Sequence, residues 1–261
     1  MPTASSNPLI DPPPKEVPLQ KAPLVWVIAM ARFPMVMEIE RPEFLAEFQK
    51  ALKSRYPVGE LETVQELVLG GQAPPPKKVW RFSDEKRWRV SLAQDFIAVE
   101  TRSYTSRDDL VARLREALEA MPASGRPPRL DRLGVRYIDR IRGEELRDIA
   151  TLVRPEIAGV ASTQAMADCI HAFSDSSFRV GDDVLVARWG LLPARATLDP
   201  SVMDAIGEPS WLLDLDMVSQ RPLAFDPDAL GDMARAFATR IYTFFRWAVT
   251  DEFLRRYGGN P

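Results

Sequence analysis

Apolar positions recur along the chain in two series with one element order: strand, helix, several strands, long closing helix. Residues 24–33, rich in Val, Ile and Trp, predict the first strand, which Pro34 ends. Pro42 suits the first turn of a helix, where no amide hydrogen is needed. Phe44, Leu45, Phe48, Leu52 and Tyr56 follow at helical spacing, and Pro57 and Gly59 stop that helix. Alternation with aromatic and β-branched residues then predicts strands over 64–69, 79–82, 88–92 and 96–104. Gly70-Gly71 ends the first of these, Ala73-Pro74-Pro75-Pro76 is a rigid loop, and residues 83–87 and Gln94-Asp95 are turns. Ser106, with Asp109 behind it, caps a helix over 106–121 whose buried stripe is Leu110, Val111, Leu114, Leu118 and Met121.

Gly125-Arg126-Pro127-Pro128 bridges to the second series. Residues 132–141 predict a strand, 144–153 a short helix stopped by Pro155, and 166–173, 184–189 and 211–218 further strands, with a turn at Gly181-Asp182-Asp183. Asp226-Pro227 is a cap followed by a first-turn proline, and predicts a helix to residue 256, about 45 Å long at 1.5 Å per residue. Leu230, Met233, Phe237, Ile241, Phe244 and Ala248 trace one face of it. Tyr242, Phe245, Trp247 and Phe253 lie outside that stripe, so a second face should also be covered. The repeated order predicts an α+β fold with an internal duplication: β-α-β(3–4)-α units over 23–128 and 129–261, one continuous domain with a curved antiparallel sheet and long helices on one face. That order resembles the TATA-binding-protein-like fold, with the helix-grip fold as the alternative. Residues 1–22, which include Pro2, Pro8, Pro12, Pro13, Pro14 and Pro18, are expected to form a disordered tail.

Several stretches carry a family resemblance. They are residues 48–57, Trp80-Arg81-Phe82, Trp88-Arg89-Val90-Ser91-Leu92 running into Asp95-Phe96-Ile97-Ala98-Val99-Glu100-Thr101, and Arg132-Leu133-Gly134-Val135-Arg136-Tyr137-Ile138. Together they resemble a sporadically distributed bacterial family of uncharacterised proteins of this size, well over residues 24–142 and weakly beyond. The resemblance implies a shared fold and a bacterial origin, and it implies no chemistry.

Composition narrows the function classes. No apolar run approaches the ~18 residues of a membrane span, and no basic segment leads into an apolar core at the N-terminus. Cys169 is the single cysteine, so no intramolecular disulfide can form, and a cytoplasmic location is expected. One Cys and one His cannot supply a usual zinc site. His171 is the one candidate general base. It lies in the alternating segment 167–173, where a strand would set it on the same face as Cys169. Net charge is −3 but uneven: residues 1–143 carry 23 Lys and Arg against 19 Asp and Glu, whereas residues 144–261 carry 11 against 18. Such a split marks two different partner surfaces or two halves that attract.

Three features are candidates for function. Leu213-Asp214-Leu215-Asp216-Met217 puts Asp214 and Asp216 on one face of a strand, with Glu100 in the corresponding strand of the first series. Such a carboxylate pair can hold Mg²⁺ with a phosphate, although a half-exposed strand shows the same alternation. Arg81, Arg87, Arg89, Arg102, Arg136, Arg140 and Arg142 interleave with Trp80, Phe82, Trp88 and Tyr104. A sheet face of that kind could grip phosphates and stack bases, but a pI near 5.5 opposes it. Six tryptophans supply either core or interface anchors. The expectation is therefore a non-enzymatic macromolecular binding protein, an adaptor for another protein, acting through an open sheet face or the Pro-rich tail. Arg81, Trp88, Arg89, Arg102, Arg136 and Arg140 are its candidate binding residues. A nucleic-acid-binding module is the alternative and a carrier of small apolar ligands the second alternative. No cofactor is expected.

Overall fold

A computed structural model describes residues 7–64, 76–85, 87–200 and 202–261. Nine strands form one sheet in the order β2-β3-β4-β5-β1-β6-β9-β8-β7, and it does not close. In chain order they are β1 (Leu24–Arg32), β2 (Val58–Val64), β3 (Lys77–Ser83), β4 (Trp88–Ala93), β5 (Phe96–Thr101), β6 (Arg132–Arg142), β7 (Ala172–Val180), β8 (Asp183–Leu192) and β9 (Ser210–Val218). The helices are α1 (Pro42–Leu52), α2 (Arg107–Glu119), α3 (Glu144–Arg147), α4 (Ile149–Leu152), α5 (Pro155–Ala158), α6 (Pro227–Ala248) and α7 (Asp251–Arg256). None of them is long and apolar enough to cross a membrane, among the described residues.

The chain falls into two compact units, neither of them one continuous stretch. One comprises Ile28–Val135 and Ser219–Arg235; the other comprises the described residues of Met1–Val27 with Arg136–Val218 and Ala236–Pro261.

In the first of these units α1 begins at the proline read from the sequence and buries Phe44, Phe48 and Leu52. The Phe48 ring meets Phe82 of β3 edge-on, with centroids 5.4 Å apart. Phe82 pairs with Val90 and Val90 with Val99, so these residues share the helix-facing side of the sheet. The Ser106 hydroxyl accepts the Asp109 amide and caps α2 as expected. Leu110, Val111, Leu114, Leu118 and Met121 are all fully buried. One strand differs from expectation. Pairing with β3 begins at Val58, directly after α1, and β2 ends at Val64, where the expected strand begins; residues 65–69 lie outside the described residues.

In the other unit β7, β8 and β9 pair antiparallel, and α6 lies over them through Phe244, 5.8 Å from the Phe178 ring of β7. Here the structure corrects three expectations. Residues 166–171 are not a strand. Met166 and Cys169 amides bond three residues back to Thr163 and Met166 carbonyls, and pairing with β8 starts only at Ala172. The face shared by Cys169 and His171 therefore does not exist. The short helix over 144–153 is broken at Asp148 into the single turns α3 and α4. The long closing helix stops at Ala248 and restarts at Asp251, because Thr250 takes an extended conformation and its hydroxyl caps α7 by accepting from Phe253 N. At 22 residues α6 is about 33 Å long.

The second apolar face of α6 is covered within the same unit. Phe245 packs edge-on against Phe253 of α7, and the Tyr242 hydroxyl accepts the Val17 amide at 2.8 Å. Residues 7–22 form no helix or strand, as proline-rich chain should, but they are not a free tail: Arg240 Nη1 donates to the Pro8 and Asp11 carbonyls at 2.9 Å each.

Gly190 shows the tightest backbone approach in this unit, with φ at +144° and room for no Cβ, which would sit 2.0 Å from the Ala172 carbonyl oxygen. Gly190→Ala is expected to lower stability by about 2–3 kcal/mol, read as a shift of the urea midpoint at unchanged slope.

Candidate functional site

The charged residues singled out in the sequence gather on the side of the sheet away from the helices. Register explains why. In the first unit Arg89 pairs directly with Glu100, and Arg81 with Ser91, on the face opposite Phe82, Val90 and Val99. Glu100 Oε1 accepts from Arg89 Nε at 3.0 Å, Ser91 Oγ at 2.8 Å and Arg81 Nη1 at 3.3 Å. Arg81 Nε also lies 2.6 Å from Glu62 Oε2. Burial pushes the Glu100 carboxyl up, but the hydrogen bond and charge of Arg89, then Ser91 and Arg81, outweigh it, and its pKa lies below the ordinary value.

The other unit carries a second ladder of the same kind. Arg188 pairs directly with Asp214, and Asp175 with Arg188. Arg136 of β6 grips Asp214 bidentately, Nε to Oδ1 and Nη2 to Oδ2, both at 2.8 Å. Arg188 Nη1 adds a contact to Oδ2 at 3.3 Å. Arg136 Nη1 reaches Asp199 at 3.2 Å, and its guanidinium lies 5.8 Å from the Trp26 ring centroid. Burial disfavours the Arg136 cation, yet Asp214, Asp216 and Asp199 hold its pKa above the ordinary arginine value.

In this unit the polar face carries cover: three arginines of β6 that point the same way reach described residues between β8 and β9, Arg136 to Asp199, Arg140 Nη1 to the Asp204 carbonyl at 2.8 Å, and Arg142 Nη1 to Glu208 at 3.3 Å. Val202 and Met203 of this connection are buried. Arg140 itself is buried, with Nε and Nη2 lacking an acceptor among the described residues. Burial and then the Arg142 charge lower its pKa, against the pull of Asp204.

The six candidate binding residues thus part company. Arg81, Arg89, Arg136 and Arg140 all lie on this polar side and hold partners within the chain. Arg102 is exposed just beyond β5. Trp88 is on the opposite side, 1% exposed, with the Arg113 guanidinium of α2 4.5 Å from its ring centroid. As for the acidic pair, Asp214 is wholly buried and its two oxygens face guanidinium groups, which disfavours a cation at that spot, whereas Asp216 is part-exposed. No group of three or more His, Cys, Asp or Glu side chains is arranged to hold a metal ion among the described residues. His171 is exposed and stacks on Phe173.

Pattern reading passed over Asp139, on the helix-facing side of β6. Burial alone pushes its carboxyl up to about 7. The Tyr257 hydroxyl nearby is pushed up to about 12, by burial and then by the Glu145 and Asp139 charges. Between pH ~4 and ~7 the folded chain holds a proton at Asp139 that the unfolded chain has released, so folding stability falls as pH rises through this window.

Asp214→Asn, which leaves Arg136 and Arg188 without their shared carboxylate, is expected to cost about 3–5 kcal/mol in urea unfolding at pH 7. Asp216→Asn should cost about 1 kcal/mol or less. Asp139→Asn should stabilise by up to roughly 4 kcal/mol at pH 8 and leave stability near pH 4 unchanged, as measured by the same unfolding curves. No protein-family model matches the chain, and no curated protein is similar to it.

Proposed function

We propose that this is a non-enzymatic, cytoplasmic binding protein whose partner is another protein, built from two duplicated β-α-β-α units of TATA-binding-protein-like type. The strand order supports the duplication. Read inward from each edge it runs 2-3-4-5-1 and 7-8-9-6, with the first strand of each series innermost. The Arg89–Glu100 and Arg188–Asp214 pairs occupy matching strands, each the last two of its series.

One observation carries the protein-binding reading. Met35 and Met37 are 67% and 66% exposed, on the loop between β1 and α1. That loop is pinned at its base: Phe33 N donates to the Asp95 carbonyl at 3.0 Å and Val36 N to the Gln94 carbonyl at 2.8 Å. Two large apolar side chains held outward on fixed backbone are the kind of anchor that protein interfaces bury, and methionine adapts to varied partner shapes. The nucleic-acid alternative loses ground, because four of the arginines it needs are engaged inside the chain.

The test is capture of partners by the tagged full chain from cells that express it, with and without nuclease, beside a Met35→Lys/Met37→Lys variant. The expected result is a stoichiometric protein that survives nuclease and is at least tenfold depleted with the variant, whose thermal transition stays within about 2 °C of the parent. Equal capture by both proteins removes this loop as the anchor. Capture that vanishes with nuclease transfers the assignment to nucleic acid.

A further inference from the structure

The unit that contains α7 and the Ala236–Ala248 part of α6 already holds a proline-rich segment: its own residues 7–21. Proline fixes φ near −65° and has no amide hydrogen, so a Pro-Pro-Pro segment offers carbonyls and ring surface at small entropic loss on docking. The surface beneath it is matched to that offer. Arg240 donates to the Pro8 and Asp11 carbonyls. The Tyr242 hydroxyl accepts from Val17 N and donates to the Lys15 carbonyl at 3.4 Å, and Lys21 N donates to the Tyr257 carbonyl at 3.1 Å. All of these bonds read main chain, so they do not depend on which side chains the segment carries.

The fit is incomplete at one place. A cleft of about 220 Å³ remains between Pro8, Pro12 and Pro14 on one side and Arg154, Arg246 and Trp247 on the other. The Arg154 guanidinium sits 5.7 Å from the Trp247 ring centroid. Arg246 Nε and Nη1 are buried there with no hydrogen-bond partner among the described residues. The carboxylate nearest to hand, Asp251, stands 3.8 Å from Nη2, beyond hydrogen-bond reach. Neither polar side chain in the lining relieves this. Asp11 Oδ2 accepts the Asn7 amide at 2.6 Å, and the Thr243 hydroxyl donates to the Thr239 carbonyl at 2.9 Å. A guanidinium whose Nε and Nη1 are out of water without an acceptor is best satisfied by a carboxylate.

We infer that this groove is a docking site for an extended, proline-rich segment of a partner protein that carries an acidic side chain at the cleft, and that residues 7–17 occupy it in cis until the partner displaces them. The inference rests on the protein-binding reading only in taking a protein as the partner, and it does not involve the Met35–Met37 loop. The cis segment competes at the high effective concentration of a tethered ligand, so apparent affinity for a second segment is reduced by the fraction of time the groove is filled.

The experiment is fluorescence anisotropy on the full chain with two labelled peptides, one copying residues 7–17 and one with that sequence carrying Pro8→Glu. The proteins are the parent, a Pro12→Gly/Pro14→Gly chain that loosens the cis segment without touching the groove, and the same chain with Arg246→Gln. Both peptides should bind the loosened chain about tenfold more tightly than the parent. The Pro8→Glu peptide should bind it about tenfold more tightly than the copy, and Arg246→Gln should abolish that gap while leaving the copy peptide bound. Retained binding of the copy shows that the Arg246→Gln chain is folded. Equal affinities for parent and loosened chain, absence of binding to either, or a gap indifferent to Arg246→Gln overturns the inference. Met35→Lys/Met37→Lys should leave every titration unchanged, so failure here and failure of the Met-loop anchor are read separately.

Discussion

A buried carboxylate between two guanidinium groups is the constraint around which each half of the sheet is organised. Glu100 and Asp214 sit in strands whose other face meets helices, so neither can turn to water without breaking the strand. Each is affordable only because arginines from neighbouring strands aim donors at it. Such a pair tolerates little slippage. A one-residue shift of β4 against β5 would send Arg89 to the helix side and leave Glu100 opposite Trp88 or Val90. The ladders are thus as much a specification of register as a source of stability.

The loop over 193–209 follows from the same arrangement. Arg136, Arg140 and Arg142 recur at even spacing along β6, so all three reach the same side, and each finds an acceptor in that loop. On this unit, a face that sequence reading leaves free for a partner is occupied by the chain itself. Two other features offer themselves for recognition: the methionine-bearing segment, and the groove that the proline-rich segment covers without filling.

Much of this is legible in the sequence, and the exceptions have physical causes. Strands with large apolar residues on one face, such as residues 79–82, 88–92 and 211–218, stand out because half of each is core. The edge strands β2 and β7 do not. Gly59-Glu60-Leu61-Glu62 and Ser174-Asp175-Ser176-Ser177 bury little and read as loop, although their backbones pair in full. Residues 166–171 mislead in the opposite sense, since alternation without a partner strand makes no strand. For the site, the turn at Gln94-Asp95 already implies that Arg89 lies opposite Glu100, so that pair could have been read from the hairpin alone. The Arg188–Asp214 pair could not, because its strands are joined by residues 193–209, whose length leaves register open. Asp139 and Arg246 are likewise invisible in the pattern, since only the surrounding packing makes a buried acid or an idle cation unusual.

The contact of the proline-rich segment with α6 spans sequence separations of 225 and 232 residues. During synthesis every strand of that unit is made between the two partners. Residues 7–21 are made before β1 through β9, and the bonds that anchor them can form only after Arg240, Tyr242 and Tyr257 have left the ribosome. Closure of this segment therefore reports that the chain has been made through residue 257, and a product cut short before α6 would present its Pro12-Pro13-Pro14 stretch to whatever reads such sequences in the cell.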